Sequence, residues 1–424
     1  MRDPVFGEGA NSSQLAPRAA VRATISNVPP LSFAEARSTV LRMVRIHSRK
    51  PEFEQVELAH AQGRVLAVPA LADREDPPLD RALRDGFALR ACDTPGTLSL
   101  IGEVRAGGVF AGHVRPRQAV EIMTGAPVPA GADAVVMVEH VVVEDGSVRV
   151  AARVEPGAHT SARASQARRG DVVVKAGTRL GFAEVAELAA TGMAQVTVYR
   201  KPRVAILPTG DEVVDVSVGP LAHQVRNSNA FSLAAQVERA GGEAVVLHTA
   251  PDARERTAEL IGLGLKFDLL LIAGGVSAGR YDLVEQALAQ MGAEIYFDGV
   301  QIQPGRPLVF GRALEKLFFG LPGNPVSTMV CFEVFARAAV ELIGGQTEPV
   351  LPLLESVLTE PLKHQPGLMR FLPARLSAGG SEVTPVAWRG SSDIPAVCRG
   401  NCFLVAEADK PEYRAGERIR VLLR

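Results

Sequence analysis

Between residues 202 and 345 the chain alternates short apolar runs with segments of helical period, and this rhythm restricts the fold more than any other feature. Arg203-Val-Ala-Ile-Leu207 is a buried strand by pattern, 231–240 a helix stopped by Gly241-Gly242, and 244–247 the next strand. Asp252 is placed to cap a helix over 253–265, 268–272 is a strand that runs into Ala273-Gly-Gly275, and 282–291 is helical again. A strand at 317–319 leads through Gly320-Leu-Pro-Gly-Asn-Pro325 into one long helix to about residue 343, with Pro325 suited to its first turn. Alternation at this spacing calls for a parallel, doubly wound sheet with helices on both faces.

The flanking segments have another texture. Residues 32–46 carry apolar residues at helical spacing (Ala36, Val40, Met43, Val44), and Ser32 with Glu35 forms a capping box. From 67 to 155 short Val-rich runs, among them Ala134-Val-Val-Met-Val138, are separated by Gly and Pro, which describes a β-rich module with many turns. Residues 182–192 form a helix by pattern and 195–199 a strand, Gly344-Gly345 and Pro349 mark a linker, and short strands fill the remainder. The fold class expected is therefore multidomain α/β plus β. It comprises a lead-in (1–27), a linking domain (28–50 and 156–199), a β-rich module (51–155), the α/β domain (200–345) and a small C-terminal β domain (346–424).

Charge and composition narrow the partners. A formal net charge of −1 over 424 residues is not that of a protein built to coat nucleic acid. No apolar run reaches the roughly 18 residues of a membrane span, and 1–27 lack a signal-peptide core, so the cytoplasm is the compartment expected. The four cysteines (Cys92, Cys331, Cys398, Cys402) have no paired zinc spacing and are expected to be buried small hydrophobes.

In an open α/β sheet, ligands collect where strands end and helices begin. Three turns fall at that edge. Pro208-Thr-Gly-Asp-Glu212 sets two carboxylates and a hydroxyl past a buried strand, and Gly274-Gly-Val-Ser-Ala-Gly279 offers free backbone amides for a phosphate. Gly320-Leu-Pro-Gly-Asn-Pro-Val-Ser327 opens a helix. In the β-rich module, Asp85 and Thr124 sit in turns of their own. Any one glycine after a strand is ordinarily just a tight turn; three at one edge, with Asp211, Glu212, Asp252 and Asp282, favour a site.

The order and wording of these motifs resemble a known family. Asp85-Gly-Phe-Ala88, Met123-Thr-Gly-Ala-Pro-Val-Pro129, Gly131-Ala-Asp-Ala-Val-Val136 with Glu139, Pro208–Glu212, Gly274–Ser277 with Tyr281-Asp282, Pro304-Gly-Arg-Pro307 and Gly320–Ser327 are similar to the molybdenum-insertion family that includes bacterial MoeA and the gephyrin E domain. The resemblance runs from about residue 30 to 424. It implies a homodimer whose cleft lies between the α/β domain and the β-rich module of the other subunit. It also implies a reaction of adenylylated molybdopterin with molybdate, assisted by Mg2+, that releases AMP and the finished cofactor. By matching positions, Glu212, Asp252 and Asp282 would serve metal and nucleotide, while Gly274, Gly275 and Ser277 would cradle phosphate and Pro322 and Pro325 shape the pocket. Arg306 would neutralise an oxyanion, and Asp85 with Thr124 would face the reacting group. Catalytic roles fall on Asp85, Thr124, Glu212 and Asp282. A molybdopterin adenylyltransferase and the molybdoenzymes that receive the cofactor are the further partners implied.

The match departs from the family pattern in places. The usual Asn-x-Arg and Gly-Glu-Asp before Gly170-Asp171 are here His159, Ser161, Ala164, Ser165 and Gln166. Gln303 replaces a lysine, Arg81-Ala-Leu-Arg84 replaces Asn-Ser-Ala-Met, and Arg280 stands where an acid is common. Two rival readings therefore stand beside insertion: a paralog that binds pterin or scaffolds partners without turnover, and the adenylyltransferase step.

Overall fold

The computed structural model describes residues 29–48, 51–275 and 283–424. They divide into two compact units, one formed by the chain up to Glu54 together with Tyr199–Arg424, the other by Gln55–Val198. The lead-in at 1–27 and the positions Ser277, Arg280, Tyr281 and Asp282 lie outside the described residues.

The first unit opens with α1 (Phe33–His47). Its capping box forms as the sequence dictates: Glu35 N–H donates to Ser32 Oγ at 3.3 Å and Ser32 N–H donates to Glu35 Oε2 at 3.0 Å. The buried stripe Ala36, Val40, Val44 belongs to the core of the α/β domain. The sequence grouped 28–50 with 156–199 instead, because an apolar stripe tells that a helix is covered but not by what.

The second unit holds a six-stranded sheet built from β1 (Gly86–Leu89), β2 (Gly96–Val104), β3 (Gln118–Ile122), β4 (Ala134–Met137), β5 (Val141–Glu144) and β6 (Ser147–Val150). Their order is β4-β1-β3-β2-β6-β5, antiparallel except for β2 beside β3. Gly86 starts β1 where a Cβ would overlap the Val136 carbonyl oxygen, so only glycine lets β1 and β4 approach there. The helix α2 (Phe182–Ala190) contributes Leu188 to a separate small core with Leu66, Leu180 and Val198.

Back in the first unit, the α/β domain runs β7 (Arg203–Pro208), α3 (Ser228–Arg239), β8 (Glu243–Val246), α4 (Arg254–Gly264), β9 (Leu269–Ala273), α5 (Leu283–Gln290), β10 (Glu294–Asp298), β11 (Val309–Ala313) and β12 (Lys316–Leu321). The sheet order is β8-β7-β9-β12-β11-β10. Val204 and Ile206 face one core while Ala205 and Leu207 face the other, and β9 alternates likewise, so both faces are covered by helices. The four strands β8, β7, β9 and β12 are parallel as expected, but β11 runs against both its neighbours, β12 and β10. A two-residue turn forces this: Leu314 and Glu315 both take positive φ, 46° and 63°, the geometry of a tight hairpin. Neither residue favours that region, so the hairpin was not announced by a glycine or asparagine.

The long helix after β12 is not one regular α-helix. It comprises α6 (Pro325–Cys331), a π turn (Phe332–Ala336) and α7 (Arg337–Ile343). At the wider turn, the Val334 carbonyl accepts from Arg37 Nη1 of α1 at 2.7 Å. Glu333, 3 % exposed, is held by Arg239 at 2.6 Å and Arg337 at 3.6 Å.

The C-terminal strands β13 (Leu353–Leu358), β14 (Met369–Leu376), β15 (Glu382–Pro385), β16 (Cys402–Ala406) and β17 (Arg418–Leu423) close a ring in the order β14-β15-β13-β17-β16-β14, with α8 (Ile394–Arg399) between β15 and β16. All four cysteines are free; Cys331 and Cys402 are buried, whereas Cys92 and Cys398 are exposed, contrary to the expectation for the set. No helix among the described residues is long and apolar enough to cross a membrane.

Candidate functional site

A cavity of about 790 Å³ opens at the C-terminal ends of β7, β9 and β12. The strand ends are stitched sideways there. Thr209 N–H donates to the Ala273 carbonyl at 3.1 Å, Gly210 N–H to Ala250 at 3.1 Å, and Gly274 N–H to Leu321 at 3.1 Å. Gly274 and Gly275 turn with φ of +99° and +65°, and a Cβ on either would press on the Thr209 hydroxyl at 2.9 Å. Glycine is thus required by conformation and by space, and the turn presents backbone rather than side chain.

Two helix N-termini border the same cavity. Asn227 caps α3 by accepting from Ala230 N–H at 3.1 Å, and Asn229 Nδ2 ties that turn to the Gly323 carbonyl at 2.8 Å. Pro325 stands at the first position of α6, and Thr328 Oγ1 donates to the Pro322 and Asn324 carbonyls, fixing the turn between. The positive ends of both helices favour an anion between them. Pro322, Pro325, Glu212, Asp252, Gly274 and Gly275 all line the cavity. Ser392 and Ile394, from the start of α8, add a wall that the sequence reading did not include; no motif marks them. Asn227 and Asn229 were also missed, although a capping asparagine ahead of a helix is a visible signal.

Acidic groups sit at the rim. Glu212 folds its carboxyl back over Gly210, where a Cβ would collide with it. Asp252 does not cap α4. The helix starts at Arg254 behind Ala253, and Asp252 N–H instead donates to Asp211 Oδ1 at 2.9 Å. Partial burial, then the charges of Asp211 and Glu212, raise the Asp252 carboxyl above its ordinary range. This is a set of hard oxygen donors short of positive charge, which suits a divalent cation. Among the described residues no three His, Cys, Asp or Glu side chains gather closely enough to hold one alone. A magnesium ion commonly takes one or two carboxylates and fills its shell with water and phosphate oxygens, so two rim acids fit it. Arg306 is exposed beside the cavity-lining Pro307, and its guanidinium has no hydrogen-bond or ion-pair partner among the described residues.

In the other unit the structure joins the two module residues singled out from sequence. Thr124 donates to Asp85 Oδ1 twice, from its N–H at 2.6 Å and from its hydroxyl at 2.7 Å. These bonds, the backbone one foremost, hold the exposed Asp85 carboxyl below its usual range, so it is an anion at neutral pH.

Comparison with known proteins bears on all these segments. Residues 31–192 match the model described as MoeA N-terminal region (domain I and II), 205–342 the probable molybdopterin binding domain, and 355–423 the MoeA C-terminal region (domain IV). Molybdopterin molybdenumtransferase of Bacillus subtilis is 34% identical over 397 residues, covering 90% of this chain and 92% of that protein. The enzyme of the same name from Haemophilus influenzae is 31% identical, covering 92% and 98%. A crystal structure of the molybdopterin biosynthesis moeA protein from Pyrococcus horikoshii OT3 superposes with a TM-score of 0.77 at 28% identity, covering 93% of this chain and all of that one.

Proposed function

This chain belongs to the MoeA family of molybdopterin molybdenumtransferases, and from that premise we propose that it inserts molybdenum into adenylylated molybdopterin with release of AMP. The observation that carries this reading is the cavity at the ends of β7, β9 and β12, where amide donors, two helix N-termini and two carboxylates converge. Chain-long kinship to transferases, not to the α/β domain alone, favours insertion over the rival readings.

The substrates are a phosphoanhydride and molybdate, both oxyanions. The Gly274-Gly275 turn and the first turns of α3 and α6 bind the phosphates through N–H groups, and the exposed Arg306 adds a counter-charge. Magnesium, held by Glu212 and Asp252 with Asp282 as a third acid, would neutralise the charge that grows on the leaving AMP phosphate as the P–O bond breaks. Ser277 completes the phosphate cradle in this reading. Asp85 and Thr124 approach from the second subunit of a homodimer. There the carboxylate, kept ionised, holds the Thr124 hydroxyl in one orientation toward the reacting group. Pro322 and Pro325 keep the wall stiff. The protein works in the cytoplasm, which suits its four free thiols, and hands its product to molybdoenzymes after an adenylyltransferase supplies its substrate.

Purified protein incubated with adenylylated molybdopterin, molybdate and magnesium should release AMP, and Glu212→Ala should reduce the rate by about 100-fold or more. Pterin binding without AMP release would favour a scaffold, and unchanged turnover in Glu212→Ala would remove that residue from the mechanism.

A further inference from the structure

Arg81 is a half-buried cation with no hydrogen-bond or ion-pair partner among the described residues, although acids lie close by in sequence. Those acids are already engaged. Asp80 Oδ1 accepts from Arg163 N–H at 2.7 Å, Glu75 pairs with the Arg163 guanidinium, and Asp85 is bonded by Thr124.

The backbone around Arg81 is pinned on both sides. Ala82 N–H donates to Ala126 at 3.0 Å, Val128 N–H to Asp80 at 2.8 Å, and Leu83 N–H to His159 at 2.8 Å. Residues 80–83 are thus the middle line of a ribbon, with the Thr124 turn on one flank and 159–161 on the other. In that ribbon Arg81 stands directly opposite Ser161 and, on the other side, opposite Pro127. Directly opposed residues of antiparallel strands present their side chains on one face, with Cβ atoms about 4.5–5.5 Å apart. The Ser161 hydroxyl in turn lies 2.9 Å from that of Ser165.

Ser161 and Arg81 face one another across the ribbon, so a guanidinium at either position would stand on the same face. A guanidinium has five donors and no acceptor, and two hydroxyls beside it add adaptable donors, a set that fits a tetrahedral oxyanion. We propose that Arg81, with Ser161 and Ser165, holds an oxyanion next to the Asp85–Thr124 pair. The anion is either molybdate or the phosphate of the pterin substrate. The inference rests on the insertion reading for its place in a reaction, but not for the binding itself.

The test compares Arg81→Asn, Arg81→Lys, Arg84→Asn and the swap Arg81→Asn with Ser161→Arg. AMP release is measured as molybdate and the adenylylated pterin are varied in turn, and molybdate and inorganic phosphate are titrated onto each protein by calorimetry. Arg81→Asn should raise the KM for one of the two substrates by about tenfold with kcat within about twofold, the substrate affected naming the anion. Arg81→Lys should fall between, and the swap should return the KM to within about threefold of the original. Unchanged KM values in Arg81→Asn, a swap no better than the single change, or an equal loss in Arg84→Asn would each overturn the assignment. If the unaltered protein releases no AMP, the insertion reading fails alone, and the calorimetric affinities then decide the oxyanion site: a loss in Arg81→Asn supports it and equality ends it.

Discussion

Asp252 is a residue whose folded surroundings work against its charge. Burial comes first and the neighbouring Asp211 and Glu212 second, and together they raise its carboxyl above the ordinary value. The sign of the consequence follows from linkage. Below the ordinary carboxylate range, folded and unfolded chains are both protonated and the group is neutral to stability. As pH rises from the ordinary value to the raised folded one, the unfolded chain ionises while the folded chain resists, and the destabilisation is fully present above the folded value. Asp252→Asn should therefore melt about 1–2 °C higher than the native chain at neutral pH without divalent cation, the scale of a largely exposed interaction, and the gap should narrow on acidification. The same substitution should lower AMP release by about 100-fold, and magnesium should raise its melting temperature less than that of the native chain. A lower melting point at neutral pH would show that the three acids do not strain one another.

Among the elements, the π turn Phe332–Ala336 is the irregular one, and α1 answers it. Arg37 Nη1 reaches the Val334 carbonyl and Nη2 the Pro349 carbonyl at 3.4 Å. Arg37→Ala should lower stability in urea titration by about 1–3 kcal/mol, the usual cost of a buried acceptor left unpaired, with AMP release per folded molecule unchanged. A loss below about 0.5 kcal/mol would mean that water serves the carbonyl equally well. The same element shows where reading a sequence stops. Residues 325–343 are buried almost throughout, so one widened turn moves no apolar residue to a solvent face and leaves no mark in the pattern. The β11–β12 hairpin was illegible for a similar reason, as Leu314 and Glu315 carry no turn signature. By contrast the parallel strands, their terminal glycines and the capping box at Ser32 were legible, because each depends on a local steric or hydrogen-bonding need. The cavity itself was legible as three turns at one edge. The wall from Ser392 and Ile394 was not, since a contact between residues so distant in sequence leaves no local mark.

Across the molecule, hydrophobic clusters respect the division into two units. The clusters around Phe319, Leu270 and Leu404 draw only on the first unit, and those around Leu98, Leu188 and Val120 only on Gln55–Val198. Cores that share no side chain melt independently unless an interface couples them. Scanning calorimetry should accordingly resolve two transitions. A single transition with equal calorimetric and van't Hoff enthalpies would show that the units unfold as one. The ring of β14, β15, β13, β17 and β16 has a different consequence. Each of its strands is paired on both sides, so while the ring stays closed it offers no open ladder onto which a stray strand can add. Fibril growth by strand addition must therefore begin elsewhere in the chain, at an edge strand such as β5, β8 or β10, or wait until the ring opens.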